Sequence, residues 1–315
     1  MGTPGDHPSY WVMRALLVHN PTAGIKGHNK DSIIDALHLA DIKVNYVSSK
    51  DDDLKHALKS ACDLVVIAGG DGTIGYVFTH LEDRSIPVAI VPLGSANNIA
   101  RSLSIAGTPA ELAEQWRASH VNSFHLVEVA YGKDKRQLCT EGFGVGLVAA
   151  LIKRRAKGKK ADGADDIRRG RRAFSEVVGE AKPLDLEVDI DGKPWKSDLI
   201  SVDVLNIPFA GPALPLAHNA DPSDTFLDVI GFERDKRDKL IEWINNPQEK
   251  PPPAATLRGE QIDIRWRDAD SRLDDQVAKG KPDWRQATIR CDPEPLRILV
   301  PAKHPAVKSS AKDDE

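Results

Sequence analysis

Cysteine is scarce: Cys62, Cys139 and Cys291 are all the chain has, odd in number and far apart. That pattern argues against a disulfide framework or a thiolate metal site and fits a reducing, cytoplasmic setting. No stretch approaches the roughly 20 consecutive apolar residues that a membrane helix needs. The opening MGTPGDHPSYWVMR lacks the apolar core of an export signal. Gly2 does not begin a myristoylation signal either, because Asp6 stands where Ser or Thr is required. The ten histidines show no paired metal spacing such as His-Glu-x-x-His, so no zinc site is read. A Gly-x-x-x-x-Gly-Lys-Ser/Thr loop is missing, which removes the P-loop ATPases. Lys and Arg total 43 against 47 Asp and Glu, a net charge of −4, so no global field draws the molecule to nucleic acid. Trp116, Trp195, Trp243, Trp266 and Trp284 read as packing rather than as a platform for bases.

The 315 residues, 41% hydrophobic and 29% charged, have the balance of a globular chain and the length of two domains. Short apolar runs alternate with helical patterns over the first 120 residues or so, the grammar of a mostly parallel sheet covered by helices. Strands are predicted at Ala15–His19, Ile42–Val47, Leu64–Ala68 and Pro87–Val91, and helices at Ile33–Ala40, Leu54–Ala61 and Asn97–Leu103. Such doubly wound α/β sheets bind ligands at the carboxyl ends of their strands. From Phe124 strands follow one another with fewer helices between them: Phe124–Ala130, Leu184–Ile190, Leu199–Leu205, Phe226–Gly231, Gln261–Trp266, Ala287–Cys291 and Leu296–Val300. A mainly antiparallel β domain is predicted there. We expect domains at 11–123 and 124–302, with a disordered tail at 303–315 and a poorly ordered stretch around Pro251-Pro252-Pro253.

The most specific motif is Gly69-Gly70-Asp71-Gly72-Thr73, directly after a buried strand and before a helical pattern. Glycines there let backbone N–H groups approach an anion, and the helix start adds its positive dipole end. An acidic residue inside a phosphate loop would repel its ligand unless a divalent cation or a transferring proton mediated, so Asp71 suggests Mg²⁺-nucleotide chemistry. The structural alternative is a turn in which Asp71 and Thr73 merely cap the helix. Pro92-Leu93-Gly94-Ser95-Ala96-Asn97-Asn98-Ile99-Ala100-Arg101 again follows a strand, and Asn20-Pro21-Thr22-Ala23-Gly24 ends the first one. Three strand-to-helix turns thus present small polar residues on one sheet edge, which suits a ligand. Gly142-Phe143-Gly144-Val145-Gly146 lacks the spacing and acidic residue of a dinucleotide fingerprint and reads as a tight turn into the next helix.

Together these segments resemble the catalytic domain of the diacylglycerol kinases, shared with bacterial lipid kinases and sphingosine kinases. The likeness is strongest over residues 14–103 and continues more weakly to 301 through GPALPLAHNADPSDTFLDVI and LRILVP. It implies a Rossmann-like nucleotide domain followed by a β-sandwich domain. It also implies ATP in the cleft, with Asn20, Pro21, Thr22, Ala23, Gly24 and Ser95, Asn97 flanking it. Gly69, Gly70, Asp71, Gly72 and Thr73 then lie at the phosphates and Ser48 on the ribose side. Asp224 falls at an acidic position tied to Mg²⁺ in the family, or is simply a turn aspartate before a strand. The family's general base is the Glu of an Asp-Gly-Glu triplet, matched here by Asp274-Asp275-Gln276. Gln276 would replace that Glu, and since glutamine cannot accept a proton, Asp275 or Asp274 would have to serve. Further departures are Gly75-Tyr76 for Asn-Glu, Ser95 for Thr, Asn98 for Asp and Thr225 for Gly.

The resemblance implies transfer of the γ-phosphoryl of ATP to the hydroxyl of a diacylglycerol-like lipid. Alternatives are an NAD kinase, which GGDGT also suits, and a catalytically weak nucleotide- or lipid-binding protein. A lipid substrate sits in a bilayer, and residues 153–172 offer a contact: ten basic residues, from Lys153 to Arg172, against Asp162, Asp165 and Asp166. Near an anionic leaflet each basic side chain is worth about 1 kcal/mol. The stretch otherwise reads as a solvated helix face. Nucleic acid is not expected as a partner.

Overall fold

The computed structural model describes residues 13–23, 29–116, 119–132, 135–156, 163–247 and 251–301; the predicted tail at 303–315 and Gly24 lie outside them. Ten elements build the first layer: β1 (Met13–His19), α1 (Lys30–Leu39), β2 (Ile42–Ser48), α2 (Leu54–Ala57), β3 (Leu64–Gly69), α3 (Asp71–His80), β4 (Pro87–Pro92), α4 (Asn98–Ser102), α5 (Pro109–Gln115) and β5 (His120–Phe124). Neighbours β2, β1, β3 and β4 run parallel in that order. The apolar runs Ala15–Val18, Leu64–Ala68 and Val88–Val91 are buried on both faces by flanking helices, which is why they read as unbroken rather than alternating. Helix starts follow capping chemistry. Asn29 accepts from Ser32 N–H at α1, and Thr108 with Glu111 forms a reciprocal capping box at α5. The helix predicted over Leu54–Ala61 stops at Ala57, because Leu58 is the last residue of that stretch to reach the core.

A break replaces the single strand predicted at Phe124–Ala130. His125 turns away between β5 and β6, donating its N–H to Pro222 O at 2.7 Å while its ring Nδ1 meets Asp292 O at 2.7 Å, and there the chain leaves the first sheet. The second half comprises β6 (Val127–Tyr131), β7 (Lys135–Cys139), β8 (Gly142–Val145), α6 (Leu147–Arg155), α7 (Gly163–Glu180), β9 (Leu186–Ile190), β10 (Lys193–Trp195), β11 (Leu199–Leu205), β12 (Phe209–Ala210), β13 (Leu214–Pro215) and β14 (Leu227–Glu233). It continues with α8 (Arg237–Asn245), β15 (Ala255–Gly259), β16 (Gln261–Trp266), β17 (Ser271–Leu273), β18 (Gln276–Ala278), β19 (Arg285–Cys291) and β20 (Leu296–Val300). Two six-stranded sheets result, ordered β10-β9-β16-β19-β6-β7 and β15-β14-β11-β8-β17-β18. Val127, Val188, Ile262, Ile264 and Ile289 of the first meet Phe143, Val145, Val202, Val204 and Val229 of the second in one sandwich core. The other face of the second sheet is covered by α6, α7 and α8 through Leu151, Phe174, Val178, Ile230, Phe232 and Leu240. Strand β20 returns to the first sheet, parallel to β4 and antiparallel to β5, so the chain crosses the boundary expected near 123 a second time.

The Gly142–Gly146 motif is a central strand, not only a turn into a helix. Strand β8 pairs with β11 on one side and β17 on the other, with Gly144 opposite both Asp203 and Arg272. Those two side chains, each 1% exposed, form a buried ion pair at 2.9 Å directly over Gly144. A Cβ on Gly144 would lie 2.1 Å from Asp203 Oδ1. The motif is therefore glycine at 144 because an ion pair crosses above it. Burial lifts the Asp203 carboxyl above its usual range, while Arg272 and Ser201 hold it down. Breaking a buried pair leaves an uncompensated charge. Gly144→Ala should accordingly lower stability by roughly 3 kcal/mol in denaturant titrations. Gly179→Ala in α7, where a Cβ meets nothing within 4 Å, should be neutral or stabilising by up to about 1 kcal/mol.

Candidate active site

Loops at the ends of β1, β3 and β4 meet at one rim of the parallel sheet. Leu93 N–H donates to Gly69 O at 2.8 Å, and a Cβ on Gly94 would lie 2.7 Å from the Gly70 Cα. Backbone presses on backbone here, which only glycine allows. Asn20 Nδ2 donates to Thr73 Oγ1 at 3.1 Å while its Oδ1 accepts from Thr22 N–H and Oγ1, tying the first loop to the second. Asp71 joins the second loop to the third. Its Oδ1 accepts Ile99 N–H at 3.0 Å, so it caps α4 from outside that helix.

A cavity of about 630 Å³ opens between these loops. Of the residues singled out in the sequence, Asn20, Thr22, Ala23, Gly70, Asp71, Gly72, Thr73 and Ser95 line it. Four other expected residues do not. Pro21 and Gly69 are backbone scaffold outside the lining. Asn97, left-handed at φ 49°, spends both ends of its amide on Gly94 N–H and C=O at 2.8 and 2.7 Å, closing the turn. Ser48 accepts Lys50 N–H at 3.0 Å and is replaced in the lining by Ser49 and Lys50, one step along the chain beyond β2.

A second cavity, about 960 Å³, adjoins the first and lies between the α/β layer and helices α6 and α7. Leu138, Val148, Leu151, Ile152 and Ala173 give it an apolar wall. Asp71, Gly72, Tyr76, Ala96, Asp166 and Asp275 belong to both cavities and mark their junction. Asp275 is exposed in the two-residue turn between β17 and β18, with its Oδ2 above Gly72. Gln276 lines only the second cavity. Asp274 is engaged: its carboxylate accepts the N–H groups of Thr140, Glu141 and Gly142 and the Thr140 hydroxyl, at 2.8 to 3.2 Å. That leaves Asp275 the free carboxylate of the triplet.

Glu141, which the sequence reading missed, lines the second cavity beside Asn98. Burial, reinforced by Asp71 and Asp274, pushes its carboxyl well above the usual range, with Arg272 opposing. Burial likewise raises Asp71, with the Ile99 and Asn98 N–H groups pulling the other way. A lone acid between two short strands carries no motif, so only the fold reveals it.

Asp224 is held elsewhere. Its carboxylate accepts Phe226 N–H at 2.9 Å and pairs with Arg258 of β15, and it lines neither cavity. Those contacts are the turn-aspartate alternative, and they do not suit a cation site. Among the described residues no cluster of three or more His, Cys, Asp or Glu could hold a metal ion. Mg²⁺ needs less, since it is commonly bound by one or two carboxylates together with substrate phosphates. Asp71 at the junction has the hard oxygen donor for that arrangement. Beside Arg258 and Asp224, Asp228 is pushed up to about 6 by burial, against the pull of Arg258. A carboxyl raised on folding costs stability as pH climbs from its unfolded pKa through the folded one. Asp228→Asn should therefore stabilise the protein above about pH 6 by on the order of 2 kcal/mol and do little below about pH 4, as read from thermal melts across pH.

The basic stretch is largely neutralised within its own surroundings. Lys153 pairs with Asp270 at 2.6 Å, Arg155 with Asp166 at 2.6 Å, Arg154 with Glu176 and Glu180, and Arg168 with Asp165. Arg169 faces the second cavity, Arg172 is exposed, and Lys157, Lys159, Lys160 and Asp162 lie outside the described residues. No described helix is long and apolar enough to cross a membrane.

Residues 14–129 match the family model of the diacylglycerol kinase catalytic domain. The chain is similar to that family over this segment. Over 241 residues it is 27% identical to a Klebsiella pneumoniae (strain 342) protein named probable lipid kinase YegS-like, spanning 72% of this chain and 78% of that one. It is 24% identical over 283 residues to the diacylglycerol kinase of Bacillus subtilis (strain 168), covering 80% and 81% of the two chains. A crystal structure of a diacylglycerol kinase from Bacillus anthracis str. Sterne shares the fold, with TM-score 0.69 and 19% identity over 94% of this chain and 98% of that one. Around the glycine-loop cavity, a Cβ at Gly94 would meet the Gly70 backbone at 2.7 Å. Gly94→Ala should push the two loops apart and weaken ATP binding at least about tenfold, measured by calorimetric titration with Mg²⁺ present.

Proposed function

We propose that the protein is an ATP-dependent lipid kinase, transferring the γ-phosphoryl group to the hydroxyl of a diacylglycerol-like lipid. The observation that carries this reading is the junction itself: a glycine-loop cavity and an apolar-walled cavity meet at Asp71, Gly72 and Asp275. Phosphates would lie against the backbone N–H groups of Gly70 to Thr73 at the start of α3, where the helix dipole favours negative charge. Asn20, Thr22 and Ser95 would hold the nucleotide from the flanking loops, with Ser49 and Lys50 at the end of β2. Mg²⁺ carried on the triphosphate, met by Asp71, would neutralise the charge that spreads over the transferring group.

The acceptor hydroxyl would enter from the second cavity, its acyl chain along Val148, Leu151 and Ile152. Asp275, exposed and above Gly72, is the carboxylate available to take the proton in place of the family's Glu. Gln276 can orient the hydroxyl from the same hairpin. Positioning and electrostatics then supply most of the acceleration. Contact with an anionic membrane surface would rest mainly on Arg169, since Arg172 pairs with Glu176 and the other internal ion pairs leave only part of the stretch free.

Phosphate transfer from labelled Mg²⁺-ATP to lipid alcohols in mixed micelles, with NAD as a parallel acceptor, tests the reading. Label in lipid and none in NAD is the expected result. Label in NAD alone would replace it with an NAD kinase, and ATP binding without transfer to any acceptor would leave a binding protein. Asp71→Asn keeps an oxygen to accept Ile99 N–H while removing the charge. Transfer by this variant should fall by a factor on the order of 100 or more with the melting temperature nearly unchanged.

A further inference from the structure

Two residues that line the second cavity each carry a buried polar atom, of opposite sense, without a partner among the described residues: Asn98 Oδ1 and Arg272 Nη2. Their residues are 3% and 1% exposed. The orientation of the Asn98 amide is fixed by its surroundings. Its Nδ2 lies 3.2 Å from Gly211 O and 3.3 Å from Glu141 Oε1, and a backbone carbonyl can only accept, so the nitrogen points there and Oδ1 is left with nothing to accept. Arg272 is fixed as well. Its Nε donates to Asp203 Oδ1 at 2.9 Å and its Nη1 to Asp274 O at 3.2 Å, leaving Nη2 as an unused donor. Glu141 is the link between the two residues, bonded to Asn98 and within the electrostatic reach of Arg272.

An unmet buried acceptor or donor costs about 1–3 kcal/mol, and such groups persist where a ligand completes them. An acyl chain satisfies neither atom. Diacylglycerol has a single hydroxyl, which must face the phosphate, and its ester oxygens can accept from Arg272 but offer nothing to Asn98. We infer that the acceptor carries, beside the reacting hydroxyl, a second group that both donates and accepts hydrogen bonds, held between Asn98 Oδ1 and Arg272 Nη2. A second hydroxyl, as in a monoacylglycerol, meets that requirement, and so does an amide, as in an N-acyl amino alcohol. This inference rests on the lipid kinase reading and narrows its substrate class. Asn98 and Arg272 are then specificity residues: they touch the acceptor away from the atoms that react.

The experiment compares kcat/KM for three acceptors of matched acyl length in detergent micelles with Mg²⁺-ATP: dioleoylglycerol, monooleoylglycerol and an N-oleoyl sphingoid base. At least one of the last two should exceed dioleoylglycerol about tenfold or more, since a site built to hydrogen-bond a group rejects analogues lacking it. A lead by monooleoylglycerol assigns the site to a second hydroxyl, whereas a lead by the N-oleoyl sphingoid base, which carries both a second hydroxyl and an amide, supports the shared donor-acceptor chemistry. In Asn98→Ala the preferred acceptor should lose at least about tenfold more kcat/KM than dioleoylglycerol does, with ATP affinity as the check on folding. A wild-type protein that phosphorylates dioleoylglycerol as well as the other two overturns the inference and leaves the lipid kinase reading standing, whether or not the variant folds. Equal losses for all three acceptors in Asn98→Ala also overturn it. Absence of transfer to every lipid overturns both readings, so the two failures are told apart.

Discussion

Gly70 and Gly94 touch backbone to backbone, and the groups at the junction of the two cavities take their positions from that contact. The loops after β3 and β4 lie on adjacent parallel strands, a few ångströms apart by the geometry of the sheet. Any side chain at either position would wedge them open. Because they close, Asp71 reaches across to the N–H of Ile99 and sets the start of α4, and α4 in turn carries Asn98 into the second cavity. One close approach between two glycine Cα positions thus aligns the glycine loop, the acid at the junction and the amide in the second cavity. The same glycines that let backbone amides face an anion also make the rim thin enough for one carboxylate to serve both cavities.

The β domain contributes the opposite kind of precision, built from charge rather than from the absence of side chains. The Asp203–Arg272 pair spans strands β11 and β17 over Gly144, and Arg272 then donates to the backbone of Asp274. Asp274, itself gripping three successive amides at 140–142, fixes the β17–β18 hairpin against the short link between β7 and β8 that carries Glu141. Asp275 is the next residue along. Its position above Gly72 is therefore set by a chain of hydrogen bonds that begins in the sandwich core. Buried pairs of this type seldom add net stability over well-packed apolar groups. Here the pair fixes the register of a three-residue strand with little apolar surface of its own.

How much of this was readable from the chain depends on the physical signal each element leaves. β1, β3 and β4 are buried on both faces and so appear as continuous apolar runs, and β11, β16 and β20 match their predicted limits for a related reason: each is apolar along at least one whole face. β8, β17 and β18 are three or four residues long and held by neighbours and by Arg272, which leaves no periodicity to detect. α7 carries an apolar stripe, Ile167, Phe174, Val177 and Val178, inside a run whose dense charge has the look of a solvated face. The glycine-rich loops were legible because a backbone that must approach an anion writes glycine into the sequence. Ser48 against Ser49 was not, since adjacent residues at a strand end face opposite ways and one step of register exchanges them.

Asp224 shows most clearly where local sequence stops being informative. A turn aspartate before a strand looks the same whether it meets a metal ion or an arginine, and here the partner, Arg258, arrives from a strand 34 residues later. Pairing of β14 with β15 brings Arg258 opposite Asp228, so one guanidinium serves both acids. With that charge supplied internally, a cation at Asp224 would have to displace an ion pair and leave Arg258 beside a buried carboxylate. A cation carried on a nucleotide would then meet Asp71 at the junction rather than Asp224, and the glycine-loop amides, with Lys50 across the same cavity, would share in neutralising a triphosphate.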